Sequence, residues 1–259
     1  MSDQVIRVLA FTATGLGLAV WEVLTPRRVP APGRTGRWIG NLGVVILSGI
    51  LIRLIFPILP VGLAMLARQR HWGLMPWLHW PEWLEVALGF FLLDLGIYAQ
   101  HRAFHAWRPL WRLHRMHHAD TFLDFTSGVR FHPLEFLSSM AFKLCLVLAL
   151  APPALAVLLF ELGLNCLVMF NHANIRLPGR VDGLLRLLVV TPDMHRVHHS
   201  TDMREANRNF GFNFPWWDRL FGTYQSAPRL GHLDMVIGLN IFRDRKFRSL
   251  GRMLVMPFI

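Results

Sequence analysis

Cysteine and charge are both scarce in this sequence. Cys145 and Cys166 are the only cysteines among 259 residues, and no CxxC pair or haem-attachment motif is present. This excludes a disulfide framework and argues against metal ligation by thiolates. Charged residues make up 17% of the chain and hydrophobic residues 53%, whereas a soluble domain is about 25% charged. The composition therefore indicates an integral membrane protein.

Several catalytic motifs are also missing. The sequence has no HExxH zinc-protease motif, no Glu-x-x-His pair of the kind used by soluble carboxylate-bridged diiron bundles, and no GxGxxG dinucleotide fingerprint. No cleavable signal peptide stands out, because the first apolar run lacks a basic segment before it. The net charge of +11 comes from basic residues scattered between apolar runs. This distribution favours contact with anionic lipid headgroups over binding of nucleic acid.

Five apolar runs are long enough, or nearly long enough, to cross a bilayer, which takes about 20 residues. They are residues 5–24, 38–59, 83–98, 134–150 and 154–170. Pro152 and Pro153 separate the last two runs and predict a helical hairpin. The expected fold is an all-α integral membrane protein with about four to five membrane-embedded helices, capped by a cytosolic histidine-rich helical domain.

The sequence divides into three parts by composition. Residues 1–82 are predicted to form N-terminal transmembrane helices and loops, 83–225 a catalytic domain, and 226–259 a basic C-terminal tail. The loop between the first two runs carries Arg27, Arg28 and two further arginines, which predicts that it faces the cytoplasm. Following the spans from there brings the histidine-rich segments to the same cytoplasmic side. A bacterial inner membrane is the expected location.

Histidines recur at spacings that suit metal binding. His101 and His105 are four residues apart, which puts both on one helix face. The pattern H-x2-HH occurs twice, in LHRMHH and in TPDMHRVHH, where Thr191 and Pro192 predict a helix start. Two single histidines complete a set of ten: His101, His105, His114, His117, His118, His132, His172, His195, His198 and His199.

Ten histidines are too many for one ion and suit two ions with four or five ligands each. Neighbours such as His117 and His118 point about 100° apart on a helix, so each can serve a different ion. An all-imidazole pair suits iron that works with dioxygen, or zinc in its place. The alternative is a histidine-rich membrane protein that binds or transports metal without oxygenase activity. A transporter's ligands, however, are expected near the bilayer midplane.

The motifs HRAFH, LHRMHH, RFHPLE, NHANI, TPDMHRVHH and NFGFNFPWWDRLFGTY follow one another in this order. On these residues the chain resembles the fatty acid hydroxylase / sterol desaturase superfamily of membrane diiron oxygenases. The resemblance covers roughly residues 94–224. It implies two iron ions, dioxygen, a membrane lipid as substrate, and electrons from an external donor such as a ferredoxin, cytochrome or reductase. The implied reaction is hydroxylation or desaturation of a lipid C–H bond.

By position, eight histidines match the three histidine boxes of the superfamily, and His172 matches an additional histidine at the end of the hairpin. Some relatives have two histidines in that element, and His132 is the residue expected to supply the missing one. Six polar residues are expected to orient the imidazoles from behind: Asp94, Asp120, Asp124, Glu135, Asp193 and Asn209. The identity of the lipid, hydroxylation versus desaturation, and the oligomeric state are left open by the sequence.

Overall fold

The computed structural model describes residues 3–30 and 33–259, and the regular elements in this part of the chain are all helical. Seven helices come first: α1 (Asp3–Leu24), α2 (Arg34–Ile55), α3 (Pro60–Gln69), α4 (Glu82–Ala106), α5 (Arg108–His118), α6 (Pro133–Leu150) and α7 (Ala154–His172). Six short helices follow: α8 (Gly179–Leu185), α9 (Pro192–His198), α10 (Met203–Ala206), α11 (Trp216–Leu220), α12 (Gly231–Asp234) and α13 (Leu250–Val255). Single 3-10 turns lie at Met75–Trp77, Phe125–Val129, Arg245–Arg248 and Met256–Phe258.

Four stretches are long and apolar enough to cross a membrane: α1, the α2–α3 stretch Arg34–Gln69, α6 and α7. They correspond to four of the five predicted spans. The remaining predicted span, residues 83–98, lies within the continuous helix α4. Large apolar side chains such as Leu16, Ile46 and Leu54 point outward, with 65%, 62% and 76% of their surface exposed. The prediction of an all-α membrane protein with four to five embedded helices is confirmed.

Prolines set most boundaries of the long helices. The predicted span 38–59 is in fact interrupted, because Phe56 is extended before Pro57 and a new helix starts at Pro60. A residue that precedes proline is pushed away from helical backbone angles. The hairpin predicted from Pro152 and Pro153 is confirmed, since α6 ends at Leu150 and α7 begins directly after the two prolines.

A sharp break separates α4 from α5. Helix α4 stops at Ala106, and the extended residue Trp107 leads directly into α5. Proline is accepted in the first turn of a helix, where its missing N–H group has no partner to lose, so Pro109 begins a helix instead of ending one. This sharp break folds α5 back against the end of α4.

The helices pack around α7, which contacts α1, α3 and α4, while α6 contacts α2, α3 and α4. Leu93, Val157 and Phe160 are fully buried between them. The segment predicted as a basic tail packs back onto this bundle. Met253 and Met256 are buried beside Met116 of α5.

Candidate metal centre

Nine of the ten predicted histidines meet in two adjacent groups. The first group consists of His101, His105, His114, His118 and His198, and the second of His117, His172, His195 and His199. Within each group, one ring nitrogen from every histidine lies within 4.8 Å of the others. Eight of the nine side chains belong to fully buried residues, and His105 is partly buried.

Four helices bring these rings together. His101 and His105 lie one turn apart near the end of α4, and α5 supplies three more along its length. His172 is the last residue of α7. The start of α9 is as predicted, because Thr191 caps it by accepting a hydrogen bond from the Met194 N–H, and Pro192 follows. The pairs His117–His118 and His198–His199 each contribute one ring to each group, as the angle between neighbouring helical residues predicts.

Backbone carbonyl groups fix the orientation of three rings. His101 Nδ1 lies 2.7 Å from the Phe210 carbonyl oxygen, and His198 Nδ1 lies 2.8 Å from that of Arg208. His172 Nδ1 lies 2.7 Å from the Val168 carbonyl oxygen. A carbonyl oxygen only accepts, so each Nδ1 must carry the hydrogen and each Nε2 presents a lone pair. This is the tautomer that binds metal through Nε2.

Two polar side chains act in the same way. Glu135 Oε1 lies 2.6 Å from His114 Nδ1, and both residues are buried. Asn207 Oδ1 lies 3.2 Å from His105 Nδ1. A carboxylate behind a histidine is a common means of making the imidazole a more basic ligand.

The inward-facing Nε2 atoms lie close together although no hydrogen bond joins them. His101 Nε2 and His114 Nε2 are 3.1 Å apart, although the Nδ1 atom of each ring faces an acceptor. The Nε2 atoms of three rings lie 3.1–3.2 Å from His172 Nε2. Nitrogens bound to one ion at about 2.1 Å would themselves lie about 3.0–3.4 Å apart. The donor set therefore fits one metal ion in each group.

Buried nitrogens without protein partners support the same fit. Among the described residues, Nε2 of His105, His118 and His198 is buried and has no hydrogen-bond partner. Burial lowers the pKa of His118 and His198 well below the usual value, and the charges that neighbouring imidazoles would carry lower it further. The rings are therefore neutral near pH 7, which is the form that coordinates metal.

His132 does not join either group. Its Nδ1 accepts a hydrogen bond from the Leu134 N–H at the start of α6, and its Nε2 lies 3.1 Å from the Leu254 carbonyl oxygen. Both ring nitrogens are therefore engaged in holding α6 and the C-terminal segment. The position of His132 does not support the expected role as a ligand, and the second group has four histidines without it.

Of the six residues expected behind the imidazoles, Glu135 alone has a recorded hydrogen bond to one of these rings. Asp94 accepts a hydrogen bond from Trp217 Nε1 (2.7 Å), which joins α4 to α11. Asp193 pairs with Arg27 and Arg196. These carboxylates connect elements around the site instead of orienting its rings.

Asp120 and Asp124 share one buried cation, Arg37 of α2. Burial alone would raise the pKa of Asp120, but the Arg37 and Arg130 guanidinium groups and the Ser127 hydroxyl outweigh it and hold that pKa below its usual value. The two carboxylates therefore anchor the chain that follows α5 to α2.

The loop that surrounds α11, residues 207–225, carries no histidine but supports the site. Asn209 donates to the carbonyl oxygens of Met194 and Gln225, both at 2.8 Å, and so joins this loop to α9. Asp218 accepts from the backbone N–H groups of Phe210 and Gly211, also at 2.8 Å. These contacts fix the carbonyl groups that orient His101 and His198. Backbone acceptors leave no signature in residue identity, and only the NFGFNFPWWDRLFGTY motif marks this loop.

Gly128 lies directly against the second group, and we expect Gly128→Ala to disrupt it. An added Cβ atom would lie 2.3 Å from the Val168 carbonyl oxygen and 3.2 Å from His172 Nδ1. That carbonyl oxygen belongs to a helix and cannot retreat, so the hydrogen bond that orients His172 should be lost. Metal affinity of the second group should fall by about ten- to a hundredfold, as for other lost supporting contacts.

Metal titration of the purified variant measures this effect. Gly17→Ala in α1 is the matched control, because a Cβ atom there has nothing within 4 Å. Equal metal affinity of the two variants would contradict the prediction.

The fold and the site define a helical membrane protein with two buried, all-histidine groups, each of which could hold a metal ion. The model of the family "Fatty acid hydroxylase" matches residues 86–223, which is more than half of the chain and contains all nine histidines. The chain belongs to the fatty acid hydroxylase family. It is therefore an oxidoreductase, as hydroxylases and monooxygenases are.

Curated relatives carry related names. The ornithine lipid hydroxylase OlsE of Rhizobium tropici is 29% identical over 236 residues, which are 88% of this chain and 70% of that protein. Alkylglycerol monooxygenases of Danio rerio and Homo sapiens are 31% and 28% identical over 60% and 66% of this chain. The matches cover about a third of those two proteins, 33% and 37%. No solved structure matches the chain.

Proposed function

We propose that the two histidine groups hold two iron ions and that the protein hydroxylates, or desaturates, a C–H bond of a membrane lipid. The observation that carries the proposal is the pair of adjacent buried imidazole groups, whose lone pairs converge at about ligand–ligand distance. Membership of the family and the names of the relatives support a lipid as substrate and dioxygen as oxidant. Zinc would fit the same ligands in purified protein.

Two ferrous ions bound here would supply reductive activation of dioxygen. In hydroxylation, one oxygen atom enters the C–H bond and the other leaves as water, with two electrons and two protons supplied from outside. In desaturation, the lipid loses two hydrogens and both oxygen atoms leave as water. Two electrons and two protons again come from outside. The chain has no dinucleotide fingerprint or haem-attachment motif, so a separate donor such as a ferredoxin, cytochrome or reductase supplies the electrons.

The protein's own part is to hold the rings and exclude water. Phe131 stacks on His117 with ring centroids 4.3 Å apart, and Phe212 stacks on His101 at 4.6 Å. These aromatic rings shield the two groups from solvent and keep them in a region of low polarity, which favours neutral imidazoles and apolar substrate.

The site belongs at the membrane edge. His172 ends α7 and the α4 histidines lie in that helix's last two turns, not at mid-helix. The arginines between α1 and α2 lie on the same side, since Arg27 pairs with Asp193 of α9. By the excess of basic residues, this side is the cytoplasmic face, here of a bacterial inner membrane.

We expect a lipid of the expressing cells to gain one oxygen atom or to lose two hydrogens, and isotopically labelled dioxygen to provide any oxygen gained. Mass spectrometry of lipid extracts measures this. The matched control is the double variant His117→Ala/His198→Ala, which removes one ring from each group and should abolish the change. A metal-loaded protein that changes no lipid with several electron donors would favour the alternative, metal storage or transport.

A further inference from the structure

Three charged side chains meet inside the apolar helices, away from the histidines. Glu161 of α7 accepts a hydrogen bond from Lys143 of α6, with 2.8 Å between Nζ and Oε1. Its other oxygen lies 2.8 Å from Arg7 Nη2 of α1. The Glu161 side chain is 7% exposed and that of Lys143 is 13% exposed. Charges inside membrane helices are costly and usually mark a functional site. We call these three residues the intramembrane charge cluster.

A cavity connects this cluster to the candidate metal centre. Its volume is about 270 Å³, and it reaches from His101, His114 and Glu135 at one end to Lys143 and Glu161 at the other. Apolar side chains such as Phe136, Met140 and Leu164 line its walls. The cavity is therefore a largely apolar channel, with Gln100, Ser139 and Asn165 as uncharged polar side chains in its lining, the histidines at one end and charged groups at the other.

Helix geometry gives the length of this channel. Lys143 lies eight residues beyond Glu135 on α6, which is about 12 Å along the helix axis. Glu161 lies eleven residues before His172 on α7, or about 16 Å. The charged end of the channel is thus more than two helical turns deeper in the bundle than the histidines.

Lys143 keeps hydrogen-bond donors that the cluster does not use. Arg7 is shared between two carboxylates, since it pairs with Asp3 (3.7 Å) as well as with Glu161. Lys143 Nζ has three N–H donors, and within the described part of the chain it donates one of them, to Glu161. The positive charge of Lys143 and its remaining donors, beside the cavity, favour an anionic oxygen group as ligand.

We propose that Lys143 and the intramembrane charge cluster form a subsite that binds an anionic oxygen group, such as a carboxylate, on the lipid substrate. The hydrocarbon chain next to that group then extends along the apolar walls to the histidines. The distance between the two ends of the channel selects which carbon is oxidised. The statement about oxidation rests on the proposed function, whereas binding of the anionic group does not.

Calorimetric titration of the metal-loaded protein in detergent micelles tests the subsite, with dodecanoate and its methyl ester as probes. The two probes share a chain and differ in charge. We expect the wild type to bind dodecanoate about tenfold more tightly than the ester, which corresponds to roughly one favourable charge interaction at a site partly shielded from water. Lys143→Met should abolish this preference while it leaves the affinity for the ester unchanged.

Two further variants separate binding from a structural role. Glu161→Gln removes the negative charge that pairs with Lys143 and should increase the preference for dodecanoate, whereas Lys143→Arg should retain it. A role limited to holding the helices together would not give opposite effects for Lys143→Met and Glu161→Gln. Lys246→Met is the matched control, because this second lysine of the chain lies on the surface and pairs with Asp244.

Equal binding of the two probes by the wild type, or a preference that survives in Lys143→Met, would overturn the inference. Failure of the proposed function would give a different result. If the protein changes no lipid but prefers dodecanoate, the subsite stands and the proposed function is wrong. If it oxidises a lipid but shows no preference, the proposed function stands and the subsite is wrong.

Discussion

Replacement of His118 by alanine is expected to remove one metal ion per chain, and replacement of His199 the other, because these rings belong to different groups. Lipid oxidation should fall by more than about a hundredfold in each variant, since even residues behind a ligand account for ten- to a hundredfold. Iron and zinc per chain, quantified by mass spectrometry after anaerobic purification, measure the first effect. The lipid mass change measures the second.

His132→Asn is the matched control for both variants. Asparagine is a good residue at a helix start and can retain the cap of α6. This variant should keep both metal ions, because the His132 ring faces backbone groups and not the centre. Loss of a metal ion from His132→Asn, with none lost from His118→Ala, would refute the ligand assignment.

Arg37→Met is expected to cause the largest loss of stability. Arg37 is 1% exposed, and its Nη1 lies 2.5 Å from Asp120 Oδ2 while Nη2 binds Asp124. Without it, two buried carboxylates lose their shared cation, and breaking a buried ion pair typically costs about 3–5 kcal/mol. Thermal denaturation in detergent should show a large drop in the midpoint temperature of unfolding.

The exposed pair Arg204–Asp202 provides the comparison for this variant. Arg204→Met should leave the midpoint almost unchanged, because solvent screens ion pairs at the surface. The triple variant Arg37→Met/Asp120→Asn/Asp124→Asn should recover part of the lost stability by removing both unpaired charges. A midpoint for Arg37→Met equal to that of Arg204→Met would show that the buried network contributes little.

Much of the histidine arrangement follows from local geometry, which the sequence encodes directly. The four-residue spacing of His101 and His105 defines a common helix face, and the Thr191-Pro192 pair defines where α9 begins. The split of His117 and His118 between the groups follows from 100° of rotation per residue. These features depend on neighbours in the chain, so the sequence predicts them without knowledge of tertiary contacts.

Other features depend on contacts between distant segments. The sequence suggests that His132 completes the second group, but the carbonyl group of Leu254, 122 positions later, holds that ring elsewhere. Likewise, nothing in the residue types predicts that the carbonyl groups of Arg208 and Phe210 orient two imidazoles. Tertiary packing decides such contacts, and single-sequence patterns do not report it.

The docking of the C-terminal segment on α5 has a consequence for biosynthesis. Arg112 of α5 donates to the Pro257 carbonyl group and Arg115 to that of Met256. The histidines of α5 are therefore held by residues that the ribosome adds after all nine histidines of the two groups. We expect a chain truncated before Met253 to bind less metal than the untruncated sequence, and iron and zinc per chain measure this.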